Sequence, residues 1–592
     1  MGVPGLLRKI LETYDKSHRA IGKHEFYDNF FIDFNALIYN AYYSLDREKL
    51  AKMNTGKIEA AIIAKIIVNL KEMINTLISP TKICYIAVDG SAPRAKMLRQ
   101  RERRYKKIFK NKFDDQLRKR YPEVPREVWD TSRASPGTEF MDKLDKALKK
   151  AIVDGEFQKH PKAGDLKIYF NGNYVPGEAE HKYMKMVGEV SGRTCIFSND
   201  GDMLMLGGRY PDKNIDIMVN IVGTGALEKI YLKPGNNRNG PKFAAIDLTY
   251  VDKGIHENLA PKRDCTRVVH DYTLYSMMGE NDFVHPFPFT HVRDRGVPEL
   301  FAKIYRKLLD KHDDYLVRYT AEGSAPSINI PFLTDFIGEL GSIEQESMQE
   351  KQKMYQNPNL SKRDLDRQLQ MKEDGVPEWK IIQNNFQHVP VYKKANPLYG
   401  KYHKQFKKIN YFQPEAKWKE EYYQTFFHLK GPYEKMKPQI KKICIEWVKS
   451  LTFALVYYLD ELPSWTYFYP YEVAPMPSDV KTTLLEVSNM NKQVSFDLGK
   501  PFTPLQQQML ILPPQNEILP KAYTDLMKKE PLKPYYPETF ELNFLAGGKY
   551  IYSEPVLPDI PADLVIKETE KVRKKLDKAN RNRNRLNKMN NH

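Results

Sequence analysis

Acidic residues recur where short apolar runs end. Asp33 lies in Phe31-Ile-Asp-Phe-Asn35, Asp89 in Tyr85-Ile-Ala-Val-Asp-Gly90, and Asp200 and Asp202 in Ile196-Phe-Ser-Asn-Asp-Gly-Asp202. Glu178 and Glu180 follow Pro176-Gly177 at an expected helix start, and Asp282 closes Met278-Gly-Glu-Asn-Asp282. Taken singly, an acid after a strand reads as a turn or a helix cap. Taken as a set, the acids read differently, because caps have no reason to gather at one edge of a sheet. Seven carboxylates brought together repel one another unless cations neutralise them. Hard oxygen ligands select Mg²⁺ or Mn²⁺. Two such ions about 4 Å apart activate a water and stabilise the leaving oxygen of a phosphodiester. The chemistry expected is metal-assisted phosphodiester hydrolysis. His181, next to Glu180, is read as an ordinary surface or supporting histidine rather than a ligand.

A basic run follows Asp89. Pro93–Arg120 carries thirteen Lys and Arg against three acids. Such a run is commonly a solvated helix face, but its spacing is informative. Lys96, Gln100, Arg103 and Arg104 fall at i, i+4, i+7 and i+8. At ~100° per residue they form one stripe on a helix. The stripe offers several donors to a terminal phosphate. A pocket sized for a monophosphate would set the first internucleotide linkage at the metals and exclude a capped end.

These residues need a scaffold. Phe30–Asp33, Ile83–Asp89, Lys167–Asn171, Thr194–Ser198 and Ile215–Asn220 read as buried strands. They alternate with helical stretches at Ile58–Ile78, Thr138–Val153 and Glu178–Val190, and Pro298–Leu309 reads as a further helix. This alternation predicts an α/β fold with a mostly parallel, twisted central sheet flanked by helices. Strand C-termini of a parallel sheet share one edge, which is where ligands bind. From Ser342 to Lys417 the composition turns to Lys, Gln, Asn and Asp, with Glu344–Lys372 read as an exposed helical arm and the rest as linker. An apolar and aromatic region begins near Tyr422, runs through Ile440–Tyr458 and Pro463–Pro477, and ends in a basic, helix-like tail after Ile560.

The length of 592 residues implies more than one domain. The expected organisation is a nuclease domain over 1–341, a charged linker or helical arm over 342–417, and a second, mixed and largely helical domain over 418–592 packed against the first. A formal net charge of +18 favours a polyanionic partner. No apolar stretch is long enough to span a membrane, and Met1–Leu6 has no hydrophobic leader character. Cys84, Cys195, Cys265 and Cys444 are too scattered for a zinc module, which suits a reducing compartment. An intracellular protein is expected, cytoplasmic in preference to nuclear.

The motifs resemble the Xrn/Rat-type 5′→3′ exoribonucleases, a branch of the PIN-like, flap-endonuclease-like nucleases. The resemblance rests on Met1-Gly-Val-Pro, Asp33-Phe-Asn35, Asp89-Gly-Ser-Ala-Pro-Arg-Ala-Lys-Met97, Arg101-Glu-Arg-Arg104, Pro136-Gly-Thr-Glu-Phe-Met141, Pro176-Gly-Glu-Ala-Glu-His-Lys182, Asp200-Gly-Asp202 and Gly279-Glu-Asn-Asp-Phe283. It continues in Tyr457-Tyr458, Pro463-Ser-Trp465, Tyr469-Pro-Tyr471, Pro501-Phe-Thr-Pro-Leu-Gln-Gln507, Leu512-Pro-Pro514 and Tyr536-Pro-Glu538. Most of the chain is covered, the middle segment least securely.

The resemblance implies that Asp33, Asp89, Glu178, Glu180, Asp200, Asp202 and Asp282 hold two divalent ions. It implies that Lys96, Gln100, Arg103 and Arg104 bind a 5′-phosphate, and that single-stranded RNA with a 5′-monophosphate is released processively as nucleoside monophosphates. Tyr39 stands where the family has a base-stacking histidine. Its partner ring is expected in Pro463–Tyr469, at Trp465 first and Tyr467 second, with a core or hinge tryptophan an equal reading of Trp465. A minimal form without long C-terminal domains is expected, while decapping or transcription-termination factors remain partners by resemblance only. Two other readings are weighed: a structure-specific flap endonuclease acting on DNA, and a catalytically inactive homologue kept for RNA binding or assembly.

Overall fold

Side chains that alternate between two apolar cores build one seven-stranded sheet. The structure is a computed structural model and describes residues 5–158, 166–232, 240–291, 294, 296–321, 323–356, 362–385, 409–543 and 553–589. The signature Met1–Pro4, the end of the tail, and much of the charged middle segment lie outside these residues. The strands are β1 (His18–Ala20), β2 (Asn29–Asp33), β3 (Ile83–Ala87), β4 (Lys167–Asn171), β5 (Thr194–Phe197), β6 (Ile215–Asn220) and β7 (Phe243–Asp247). Their order is β1-β7-β6-β5-β2-β3-β4. The block β6-β5-β2-β3-β4 is parallel. β7 runs antiparallel to both β6 and β1.

Successive strand residues point to opposite faces. Phe31, Tyr85, Ile196 and Ile217 enter one core. Phe30, Ile32, Ile86, Phe197 and Met218 enter the other. The helices Thr55–Glu72 and Glu139–Val153 cover the second face through Ile58, Ile62, Ile66, Phe140 and Leu144. Ala179–Glu189 and Cys265–Met277 cover the first through Tyr183, Val187, Val268 and Leu274. The expected α/β fold with a mostly parallel sheet is therefore what the chain forms. The five expected strands coincide with β2 to β6, and the antiparallel edge of β7 and β1 is added to them.

The first core does not stop at the nuclease region. Trp447, Leu451 and Leu455 of the helix Tyr433–Leu459 and Val480 and Leu484 of Pro477–Glu486 belong to it. The helix Glu344–Gln356 is not a free arm. Glu344, Met348 and Gln352 are buried at a spacing of four, and Glu344 accepts from Ser478 N at 3.0 Å and pairs with Lys419 at 2.9 Å. One inward position per turn, two of the three polar, leaves little apolar pattern to read.

The basic helix extends from Arg94 to Arg120 and is only partly solvated. Arg94, Lys96 and Arg101 are buried. Arg101 donates to Pro558 O at 2.7 Å and Tyr535 O at 2.6 Å, and Arg94 lies over the Phe468 ring and donates to Ile560 O. The tail is docked as well. Arg583 donates to Gly137 O at 3.2 Å, Asn584 accepts from Leu505 N at 2.9 Å, and Asn587 N donates to Tyr174 O at 2.8 Å. Among the described residues no helix is long and apolar enough to cross a membrane.

Candidate active site

Three adjacent parallel strands end on the acid cluster. Asp33 is the last residue of β2, whose neighbours are β5 and β3. Asp33 pairs in register with Ala87, two residues before Asp89, and Ile32 pairs with Phe197, three before Asp200. The chain order therefore brings Asp33, Asp89 and Asp200 to one edge, as expected from a parallel sheet. Gly90 makes the next step possible. A Cβ there would lie 1.7 Å from Val175 O, so only glycine allows the loop after Asp89 to meet the loop before Glu178. Gly90 N donates to Gly177 O at 2.9 Å and Gly177 N to Ser91 O at 2.8 Å. These bonds set Glu178 at the N-cap of Ala179–Glu189, with Glu180 in its first turn.

Neighbouring donors orient the acids. Asp89 accepts from Asn35 Nδ2 at 2.6 Å and from Ala179 N at 2.8 Å. Asp33 accepts from Ser198 Oγ at 2.8 Å, and the same hydroxyl accepts from Asp200 N at 3.1 Å. Tyr458 donates to Asp202 Oδ2 at 2.6 Å, and Tyr457 donates to Glu178 Oε2. Lys96 Nζ lies 2.8 Å from Asp282 and 3.2 Å from Glu178. Lys182 is buried below Asp89 and donates to Val88 O and Gly172 O. Asp33, Asp89 and Glu180 present oxygens within 4.8 Å of one another.

The electrostatics of this cluster are those of a cation site. Burial, followed by the charge of Asp89, pushes Asp33 up to about 7. Burial and then Asp200 push Asp202 up to about 7. Burial and then Glu178 raise both Asp89 and Glu180. Burial, the largest single influence, works to raise Asp282, but the Lys96 ammonium with its hydrogen bond, the Arg103 guanidinium and other nearby positive charge together outweigh it and hold this acid well below the ordinary range. Two buried lysines, Lys96 and Lys182, cannot balance seven carboxylates. An all-oxygen set of this kind fits a hard divalent cation.

The stripe on the basic helix adjoins the cluster through Lys96. Gln100 accepts from Gln507 Nε2 at 2.9 Å, and Gln507 also accepts from Ala92 N at 3.1 Å. Arg104 donates to Ser135 Oγ at 3.3 Å and is also hydrogen-bonded to Tyr39. Nε of Arg103 and Nε of Arg104 are buried without a hydrogen-bond partner. The loop carrying Ser135 is fixed by Gly137, at φ 76°, where a Cβ would meet Pro504 Cβ at 2.4 Å. Gln508 Nε2 donates to Pro136 O at 2.6 Å and closes the same contact.

Of the aromatic residues, Tyr39 is half-buried beside Arg104. Trp465 is half-buried, and its ring edge lies 4.0 Å from where a Cβ on Gly177 would stand. Trp465, His181, Tyr457 and Glu178 line one cavity of about 590 Å³. Tyr467 packs between Phe453 and Phe496 and donates to Glu446 O, so it belongs to the core. His181 packs against Tyr457 with ring centroids 3.8 Å apart and the planes tilted by 48°, and burial pushes its imidazole down to about 3. It is neutral and half-buried against that ring. Asn35, Ser198, Lys182, Tyr457 and Tyr458 are additions to the expected site. Asn35 and Ser198 stand within two residues of an acid in sequence, which is a usable signal. The tyrosines lie far along the chain from their partners, and their one signal is the family resemblance that covers Tyr457-Tyr458, which does not say what they touch.

Comparison with known proteins gives the same picture. The family model described as the XRN 5′-3′ exonuclease N-terminus matches residues 1–220, and that of the Xrn1 helical domain matches residues 413–590. The chain is 24% identical to human 5′-3′ exoribonuclease 1 over 99% of its own length and 35% of the human protein. It is 25% identical to the Saccharomyces cerevisiae 5′-3′ exoribonuclease 1 over 92% of its length and 41% of the relative. With Arabidopsis thaliana 5′-3′ exoribonuclease 2 it shares 23% identity over 94% of its length and 64% of the relative. The chain thus spans less than two thirds of each of these proteins. Two family models in their proper order, each falling on a region that contributes side chains to one acid cluster, show that the chain belongs to the XRN 5′-3′ exonuclease family.

Proposed function

We propose that this protein is a divalent-metal-dependent, processive 5′→3′ exoribonuclease acting on single-stranded RNA with a 5′-monophosphate. One observation carries the reading: the basic stripe and the carboxylate cluster are contiguous, joined by Lys96, which pairs with Glu178 and Asp282. An end-binding patch one side chain away from a hydrolytic centre measures one nucleotide from a phosphorylated end.

Asp33, Asp89, Glu178, Glu180, Asp200, Asp202 and Asp282 would hold two Mg²⁺ or Mn²⁺ ions. Bound ions of this kind lower the pKa of a water and offset charge on the leaving oxygen. The chain's own groups do the rest. Arg103, Arg104 and Gln100 grip the terminal phosphate, with Lys96 shared between phosphate and acids. Tyr39 and Trp465 stack on bases, which is sequence-tolerant. Attack at the second phosphorus expels the 3′-oxygen of the first nucleotide. The products are a nucleoside 5′-monophosphate and an RNA that again carries a 5′-monophosphate, so each turn regenerates a substrate. The domain division at 341 and 417 is proposed in the same sense, with the second region completing the site rather than standing apart.

The test is a time course on RNA with a 5′-monophosphate or a 5′-hydroxyl, and on flap DNA, with Mg²⁺ or with chelator. Mononucleotides should appear from the first time point, from monophosphorylated RNA and only with metal. Cleavage of flap DNA with this RNA left intact would refute the proposal.

A further inference from the structure

We infer that Tyr457 and Tyr458 are positioning residues of the metal centre: two adjacent phenols from the second region that fix Glu178 and Asp202 in their ligand geometry. The inference rests on the metal-site reading above.

Both tyrosines sit in the last turn of the helix Tyr433–Leu459. Adjacent helix positions diverge by about 100°, so two neighbouring residues can reach two different elements. Tyr457 donates to Glu178 Oε2, at the N-cap of Ala179–Glu189. Tyr458 donates to Asp202 Oδ2 at 2.6 Å, in the loop after β5. Both rings are buried. Tyr457 is held by Phe283, edge-on at 4.7 Å between centroids, and by the tilted His181 ring at 3.8 Å, and Phe283 adjoins Asp282. One helix end thus touches the segments of Glu178, Asp202 and Asp282 together.

A helix C-terminus carries partial negative charge. Aiming it at a carboxylate cluster is unfavourable unless donors intervene, and the hydroxyls are those donors. They donate without adding charge, so they order the acids and leave the cluster's demand for cations intact. Each bond also occupies one carboxylate oxygen. Glu178 is left with Oε1, the atom that faces Lys96 at 3.2 Å. Supporting hydrogen bonds of this kind typically alter metal affinity by about 10- to 100-fold.

The test uses the full chain with Tyr457→Phe, Tyr458→Phe and the double substitution. Mn²⁺ is titrated calorimetrically without RNA, beside melting in chelator and the Mg²⁺ dependence of RNA hydrolysis. Each variant should bind Mn²⁺ roughly 10-fold more weakly and need correspondingly more Mg²⁺ for half-maximal rate, with KM for RNA unchanged. Excess Mg²⁺ should restore kcat. Phe453→Leu, which loosens the same helix against Tyr457 without touching an acid, should lower the melting temperature and leave Mn²⁺ affinity alone. Equal Mn²⁺ affinity in the wild type and both tyrosine variants overturns the inference, as does an equal loss in Phe453→Leu. A measurement on the wild type needs no variant: Mg²⁺ should perturb the ultraviolet absorbance of buried tyrosine, and an unperturbed spectrum also counts against the inference. A wild type that binds no divalent ion refutes the nuclease reading itself, which separates the two failures.

Discussion

Lys96 and Asp282 form a buried ion pair of 2.8 Å, and the same ammonium reaches Glu178 at 3.2 Å. The lysine leaves the first turn of the basic helix, while its partners come from a loop 186 residues later and a helix start between them. On the proposed reading, end recognition and hydrolysis would share an atom.

Lys96→Met should destabilise the protein in chelator. Removing one partner of a buried pair costs about 3–5 kcal/mol, and here it leaves the acids with still less positive charge. Urea unfolding should show the loss, and Mg²⁺ should recover more stability in the variant than in the wild type. Equal stability in chelator would contradict the pairing.

Asp200→Ala combined with Asp202→Ala should abolish Mg²⁺-dependent RNA decay, by roughly 10³-fold or more in kcat. The fold should persist, because removing two of the crowded acids relieves repulsion. Circular dichroism and melting in chelator check the fold, and single-turnover decay checks the loss. Undiminished decay would reject the metal-site assignment.

Arg103→Ala and Arg104→Ala should each erode the preference for 5′-monophosphate over 5′-hydroxyl RNA. A hydrogen bond to a charged group contributes about 1.5–3 kcal/mol, so a drop of roughly 10- to 100-fold in the ratio of kcat/KM values is expected. An unchanged ratio would remove these arginines from the phosphate pocket.

Trp465→Ala should lower kcat/KM for RNA by about 10-fold, in keeping with the roughly 1–3 kcal/mol that a base stack contributes. The preference for the phosphorylated end should stay as it was. A loss of melting temperature with unaltered kinetics would instead make Trp465 a core residue.

Asp252 tests pH dependence away from the site. Burial, then the charge of Asp247, pushes this carboxyl up to about 8, and its Oδ2 has no hydrogen-bond partner. A raised folded pKa means that the folded state keeps a proton the unfolded state releases. The associated stability is present below about 4 and is lost as pH rises through 8. Asp252→Asn should therefore melt close to the wild type at pH about 4 and above it at pH about 9, by roughly 2–4 kcal/mol. Parallel melting curves at both pH values would contradict this.

Much of this architecture is written locally, and the rest is not. β2, β3 and β5 are apolar runs that end in acids, so both their pairing class and their chemistry can be read from a few consecutive residues. β1 is only His18-Arg-Ala20, and β7 is Phe243-Ala-Ala-Ile-Asp247. Neither shows a period that distinguishes a strand from a loop, and their antiparallel edge arises from tertiary pairing. The stripe of Lys96, Gln100, Arg103 and Arg104 follows from helical spacing alone. That Lys96 turns toward Asp282 while Arg101 turns toward Tyr535 and Pro558 does not, because helical phase says nothing about which neighbour fills which side. The same limit hid Glu344, whose burial depends on Lys419 and Ser478.

Synthesis from the N-terminus brings out Tyr457 and Tyr458 after every acid they touch. All seven acids have been synthesised once Asp282 emerges, long before the helix that carries their hydroxyl partners. A growing polypeptide would therefore hold all seven proposed ligands and still lack the two hydroxyls that donate to Glu178 and Asp202. It would emerge beside messenger RNA with its cutting centre unassembled until the second region folded onto it.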